Sequence, residues 1–202
     1  MIVLMLSTDE NIFTAGSEVQ QRMTDYGSLV TELHIIVKAA NRQQATSISG
    51  NVFIYPADSY WTAYKVGRGI ITRLVVTNYS LLITTQDPFE TGLVGYLLKR
   101  KFRLPLQIQI HTDFLSPYFW QESIKNKVRV LVGKWLVKRA DGIRVVSERI
   151  KNSLVANGYT SSSLRLSEPN GLKPVSVLPI FVDVRQIKES LINIDLRQKY
   201  PG

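Results

Sequence analysis

The chain contains no cysteine, which removes disulfide staples and thiolate chemistry and is compatible with a reducing compartment. It has two histidines, His34 and His111, far apart in sequence, so no zinc-ligand spacing is present and no metal site is expected. No apolar run approaches the roughly 18 residues that mark a membrane span. The opening Met1-Ile2-Val3-Leu4-Met5-Leu6-Ser7 lacks the basic segment and small-residue cleavage site of a secretory signal; it reads as a buried first strand. Also missing are G-x-G-x-x-G, the Walker lysine loop and the G-x-S-x-G elbow. Their absence removes the dinucleotide, nucleoside-triphosphate and serine-hydrolase fingerprints. No cofactor is called for, and there is no internal repeat.

What is present is the composition of a globular domain. The 202 residues are 45% hydrophobic and 20% charged, enough chain to bury a core without staples. The formal net charge is +9, which invites an anionic partner: a phosphorylated substrate, an anionic membrane surface or nucleic acid. No nucleic-acid motif accompanies the charge, and the cations are dispersed, so nucleic acid is set aside.

Strand-length apolar runs alternate with helix-length amphipathic segments. Strands are expected at residues 2–6, 33–37, 52–55, 81–84, 106–110, 142–146 and 175–178, and helices at 16–30, 59–76, 88–101, 121–139 and 148–157. Gly67 and Gly69 weaken the second helix. The order predicts an α/β fold: a three-layer Rossmann-like domain whose parallel sheet is covered on both faces, with right-handed crossovers and the first strand central. Asp87-Pro88-Phe89-Glu90 reads as a helix start, with Asp87 as N-cap and Pro88 at the first helical position. Ser147 reads as the next cap and Gly158 as a left-handed stop. Residues 159–171 have loop composition.

In an open parallel sheet, ligands bind beyond the carboxyl ends of the strands. Three places qualify. One is the loop of residues 8–17, where Gly16 and Ser17 precede a helix and backbone N–H groups can meet an anion. Another is His111-Thr112-Asp113, directly after Leu106-Gln107-Ile108-Gln109-Ile110. A histidine there can hydrogen-bond a sugar hydroxyl or a phosphate, or shuttle a proton, and Asp113 can orient it or hold an acceptor hydroxyl. The third is the Gln86-Asp87 turn. Arg22, early in the first helix, is either a substrate-anion ligand or a solvated arginine. His34, inside a strand, reads as structural.

The helix expected at 121–139 places Ile124, Val128, Leu131 and Trp135 on one stripe. Lys127, Lys134 and Lys138 flank one side; Lys125, Arg129 and Arg139 flank the other. The stripe is expected to face the core, with its lysines reaching past it to water. The basic flanks of Lys125, Lys127, Arg129, Lys134 and Lys138 are expected to meet phosphate head groups of an anionic membrane.

Four segments in order resemble family 4 glycosyltransferases. They are Leu82-Ile83-Thr84-Thr85-Gln86-Asp87-Pro88-Phe89-Glu90-Thr91-Gly92, Ile110-His111-Thr112, Ala140-Asp141-Gly142-Ile143-Arg144-Val145-Val146-Ser147, and Val177-Leu178-Pro179-Ile180-Phe181-Val182-Asp183. The last stands where the family usually has an Asn-Gly pair before its valine, and Ala15-Gly16 stands where it usually has two glycines. The resemblance implies the N-terminal, acceptor-side half of a GT-B fold. Residues 1–183 would form that domain and 184–202 a linker and tail leading to a C-terminal donor-binding domain. It implies retaining transfer of a sugar, of the hexosyltransferase type, from a nucleotide sugar to a cell-envelope or lipid-linked acceptor, without an obligatory metal. The Gly16 loop would lie near the donor phosphates and His111 near the transferred sugar. The groups that grip the nucleotide and leaving pyrophosphate would belong to the second domain, so this chain alone is expected to be inactive. The expected location is cytoplasmic, peripheral at the inner membrane face. The competing reading is a non-catalytic acceptor-domain protein that binds a partner chain or an anionic surface.

Overall fold

The computed structural model describes residues 1–39, 44–75, 79–159 and 175–179. The loop expected at 160–171, linker residues 180–183, the boundary at Asp183 and the tail 184–202 lie outside the described residues.

Among the described residues, eight strands form one sheet: β1 (Ile2–Ser7), β2 (Glu32–Lys38), β3 (Thr46–Ser49), β4 (Val52–Ala57), β5 (Leu81–Thr85), β6 (Leu106–Ile110), β7 (Gly142–Val145) and β8 (Val175–Val177). Their spatial order is β3-β4-β2-β1-β5-β6-β7-β8. All neighbours are parallel except the edge pair β3–β4, which is antiparallel. The short edge strand was not anticipated: Thr46-Ser47-Ile48-Ser49 carries one apolar residue and so gives no periodic signal. The described residues also form six helices: α1 (Glu18–Ser28), α2 (Tyr60–Leu74), α3 (Glu90–Phe102), α4 (Pro117–Glu122), α5 (Ile124–Val137) and α6 (Glu148–Ala156), with a 3-10 turn at Glu10–Phe13.

The two faces of the sheet are covered unequally. Ile2, Leu4, Leu6, Ile83, Ile108, Ile143 and Val145 enter one core together with buried residues of α2, α3, α5 and α6. Val3, Met5, Leu33, Ile35, Val37 and Ile54 enter a second core with Met23 of α1. Beyond β1 on this second face the strands turn polar. Thr84, Gln107, Gln109 and Arg144 alternate with the apolar residues that face the first core.

Two helix assignments need correction. The long helix expected at 121–139 is two. Ser123 breaks it in extended conformation and caps α5, accepting from the Asn126 N–H. Buried Asn126 ties the halves together by donating to the Glu122 carboxylate at 2.7 Å. Asp87 is not an N-cap, and Pro88 is not the first helical residue: α3 starts at Glu90. Asp87 instead closes a turn before the helix, accepting from the Phe89 N–H and from the Thr91 hydroxyl, each at 2.7 Å. Pro88 and Phe89 are thereby tucked into the core.

Helical glycines separate close packing from open surface. A Cβ on Gly95 would sit 2.5 Å from the Thr85 methyl and 3.0 Å from Leu106, where α3 lies against the sheet. A Cβ on Gly69 would meet nothing within 4 Å. Gly95→Ala is therefore expected to destabilise by roughly 1–3 kcal/mol through overpacking. Gly69→Ala should stabilise by roughly 0.5–1 kcal/mol through helix propensity. Urea denaturation of both variants checks the opposite signs.

Candidate functional site

The carboxyl ends of β1, β5 and β6 form one rim, and the residues beyond them face the second, polar side of the sheet. Ser7 ends β1 and its hydroxyl donates to Gln86 Oε1 at 2.7 Å. The Ser7 hydroxyl oxygen in turn accepts the Asp9 N–H, so Ser7 ties the first loop to the β5 turn. Gln86 also takes a backbone bond, N–H to the Leu6 carbonyl. His111, one residue beyond β6, is exposed. Its Nε2 lies 3.4 Å from Gln109 Oε1.

The first loop is shaped as its glycine demands. Gly16 has φ +73°, the left-handed region that favours glycine. Ser17 caps α1, accepting from the Gln20 N–H and donating to the Asn11 carbonyl. The Gly16 N–H, the group suited to meet an anion, donates to Gln20 Oε1 at 3.1 Å. Gln20 thus occupies in the free chain the donor that a phosphate would take.

Arg22 lies 3.9 Å from Asp9 and is partly exposed, a loose pair worth little in water. The guanidinium stays available to the crevice, and its charge is felt by His111. Partial burial lowers the His111 pKa, and the charges of Arg144 and Arg22 lower it further. Both effects favour the neutral imidazole. Burial raises the Asp87 pKa, while the bonds from Thr91 and the Phe89 N–H pull the other way.

Other expected residues divide. Thr112 and Asp113 line a depression of about 450 Å3 with Phe119 and Arg149, beneath α4 and next to His111. Asp113 Oδ1 accepts from Ser153 of α6 at 2.9 Å, so its carboxylate braces α6. Asp87 is turned to the α3 start. His34 is buried, bonded to Glu32 and Tyr55 and stacked on Phe53, a structural role. Gln109 and Arg144 were not singled out from the sequence. The alternation in Leu106-Gln107-Ile108-Gln109-Ile110 was the available signal for a polar sheet face.

The stripe on α5 overturns the expectation that it faces the core. Ile124 is 80% exposed, Leu131 60%, Val128 56% and Trp135 40%. The residues that enter the core are Val130, Gly133, Leu136 and Val137. Gly133 explains the choice of face: a Cβ there would sit 2.9 Å from the Phe114 ring, so only a glycine face can close on it. Lys125, Lys127 and Lys138 are exposed and Lys134 partly so. Arg129 does not join the surface set, because it forms a two-pronged pair with Glu90 at 2.8–2.9 Å and lies over Phe89. Among the described residues no helix is long and apolar enough to cross a membrane.

The fold has solved relatives. It is similar to sucrose-phosphate synthase from Thermosynechococcus elongatus, with TM-score 0.61 and 14% identity over 92% of this chain and 49% of that one. A second structure of that synthase matches at TM-score 0.59 and 12% identity, over 93% of each chain. Alpha,alpha-trehalose 6-phosphate synthase from Burkholderia multivorans matches at TM-score 0.54 and 12% identity, over 93% of this chain and 50% of that one. The chain has a GT-B-like α/β domain fold. It spans about half the length of two of these structures. No protein-family model and no curated protein sequence matches it. Within this GT-B-like domain, the carboxyl ends of three adjacent parallel strands bring Ser7, Gln86 and His111 to one rim, with Ser7 buried, Gln86 partly exposed and His111 exposed.

The electrostatics of the rim give a titration prediction. The His111 midpoint should fall below the ordinary value of about 6.5, and Arg144→Gln should raise it toward that value. Because the folded pKa is the lower one, the unfolded chain takes its proton first. Stability should therefore fall as pH drops through the ordinary imidazole range and be unaffected by this group above it. An NMR pH titration of the imidazole protons reads the midpoint. A His111 midpoint above 6.5 would sink the argument.

Proposed function

We propose that this chain is the acceptor-side half of a retaining glycosyltransferase that moves a sugar from a nucleotide sugar to a cell-envelope or lipid-linked acceptor. The observation that carries the reading is the place of His111 in a GT-B-like domain, one residue beyond β6 at the strand-end rim where Ser7 joins Gln86. Trehalose-6-phosphate synthase and sucrose-phosphate synthase, the similar structures, are named for making sugar linkages, and this chain spans about half of each. In such a transfer the rate comes from stabilising the leaving pyrophosphate and aligning the acceptor hydroxyl with the sugar. This chain offers the second: a rim for the sugar and acceptor, and the Gly16 N–H for a phosphate oxygen once Gln20 moves aside. The fixed cations for the pyrophosphate, and most of the nucleotide contacts, fall to a donor-binding domain.

The transfer assay tests this directly. Alone, the chain should show no transfer from UDP-, GDP- or ADP-sugars and no micromolar binding of free nucleotides by calorimetry. In an enzyme that joins it to a donor domain, His111→Ala should lower kcat/KM by roughly 100-fold, the scale of losing a positioned acid–base group. Turnover by the chain alone would mean that the donor site has been misplaced, and an unchanged rate in the variant would make His111 structural.

The exposed α5 stripe favours an anionic membrane as the setting of the acceptor. Four apolar side chains on one helix face stand between Lys127, Lys134 and Lys138 on one side and Lys125 on the other, the arrangement of an interfacial helix. Trp135 is held for that role, packed edge-on against Tyr96 at 4.7 Å and covered by Arg139 at 4.0 Å. A second copy of the same face would bring lysine against lysine, which disfavours self-association. Cosedimentation should show binding to vesicles containing phosphatidylserine and not to neutral vesicles. Binding should weaken as salt rises and be lost in a Val128→Glu, Leu131→Glu double variant. Equal binding to both vesicle types, or none, removes the membrane from the reading.

A further inference from the structure

The polar half of the second sheet face holds one connected chain of hydrogen bonds, and His111 stands at its end. Thr84 donates from its hydroxyl to Gln107 Oε1 at 3.3 Å. Gln109 Nε2 donates to the Thr84 oxygen at 3.0 Å. Arg144 Nη1 donates to Gln109 Oε1 at 3.1 Å. The register places these partners side by side, Thr84 opposite Gln107 and Gln109 opposite Arg144. Thr84 and Gln109 are both buried, so the network is sheltered from water that would otherwise let its members exchange partners.

The orientation of the Gln109 amide follows from the chemistry of its neighbour. A guanidinium has only donors. Turning the amide over would set its N–H2 against Arg144 Nη1, donor against donor, in a buried site. The oxygen must therefore face Arg144. That same oxygen is the atom 3.4 Å from His111 Nε2. An amide oxygen can only accept, so the nitrogen facing it must carry the proton. In a neutral imidazole the other nitrogen is then bare.

We propose that Gln109 is a positioning residue: clamped between Thr84 and Arg144, it fixes the neutral His111 imidazole as its Nε2–H tautomer. Nδ1 is left as an acceptor for a hydroxyl group and not as a donor to a phosphate oxygen. His111 therefore handles an O–H of the sugar or acceptor, and the phosphates belong to the Gly16 loop and Arg22 across the crevice. That the hydroxyl is a sugar's rests on the transferase reading; the tautomer does not. Arg144 has a second part here. Its charge disfavours a second proton on the ring, so the ring stays an acceptor at neutral pH. Its own Nε–H is buried and has no partner among the described residues, which is consistent with a guanidinium held by its pull on Gln109 and not by a matched set of acceptors.

The test is spectroscopic and needs no donor domain. In the 15N-labelled chain, long-range 1H–15N correlations report the proton location on each ring, and the chain has only two histidines. The His111→Gln spectrum assigns them. His111 should show a protonated Nε2 and a bare Nδ1 at pH 7.5, with no averaging between tautomers. Gln109→Met should move both nitrogen shifts toward the averaged values of a free imidazole. Arg144→Met, which frees the amide to turn, should do the same. Gln109→Glu should restore the Nε2–H form, because a carboxylate oxygen accepts from both neighbours. His34, bonded to Glu32 and Tyr55 on another part of the sheet, serves as the control: unchanged His34 signals certify an intact fold in each variant. Inorganic phosphate at pH 7.5 should leave the His111 Nδ1 shift in place. An Nδ1–H tautomer in the native chain, an unmoved His111 in Gln109→Met, or phosphate-induced protonation of Nδ1 would each overturn the proposal. None of these outcomes depends on whether transfer activity is ever observed.

Discussion

Everything in this domain is hung on the burial of β1 on both of its faces. Ile2, Leu4 and Leu6 serve one core and Val3 and Met5 the other, so β1 cannot sit at an edge. Parallel partners on either side, β2 and β5, are the consequence. Right-handed crossovers then put α1 on one face and α2, α3, α5 and α6 on the other. Because all these strands point the same way, Ser7, Gln86 and His111 arrive at one rim. The site is a product of strand polarity before it is a product of any particular side chain.

The same constraint weakens as the sheet extends away from β1. On the α1 face, β5, β6 and β7 carry Thr84, Gln107, Gln109 and Arg144 in place of aliphatic residues. Apolar side chains there would gain about 25 cal/mol per Å2 buried, whereas buried amides and a guanidinium contribute only if their bonds are made. The chain meets that condition with a connected network, save at the Arg144 Nε–H. A network of this kind fixes orientation better than an apolar core does, because each member has few ways of being satisfied. That is the physical reason for a polar sheet face to lie directly beneath a rim histidine.

The β-α alternation, the central first strand and the rim position of His111 were legible from strict local patterns. What was not legible involves competition between two local patterns. In residues 124–137 one apolar stripe contains Ile124, Val128, Leu131 and Trp135, and another contains Val130, Leu136 and Val137. Hydrophobicity favours the first. Gly133 decides for the second, because only that face lets the helix approach Phe114. At Asp87 the sequence supports both an N-cap and a turn. The turn is formed because Thr91 reaches back to the carboxylate and Phe89 is pulled into the core. Gln109 and Arg144 were invisible for a different reason. Each is ordinary in its own strand, and their meaning appears only with the β6–β7 register.

The exposed stripe and the rim are not independent features of the surface. The chain leaves His111, passes Asp113 and the buried Phe114, forms α4, breaks at Ser123 and continues as α5. Phe114 is pinned by Gly133 of α5 and by Phe89 at the start of α3. Asp113, one residue before it, is bonded to Ser153 of α6. The segment between rim and stripe is thus braced at both ends by packed side chains, and Asn126 holds α4 to α5 across the break. A surface that took up Ile124, Val128 and Leu131 would fix the height of the His111 rim above it through rigid contacts, without a hinge in α4. Tyr118 and Trp120 of α4, which lie between them in the chain, are exposed as well. On the proposed reading, an acceptor anchored by an apolar tail would be attached to that same surface. In that geometry the entropy of bringing acceptor to sugar is reduced by attachment to the same surface.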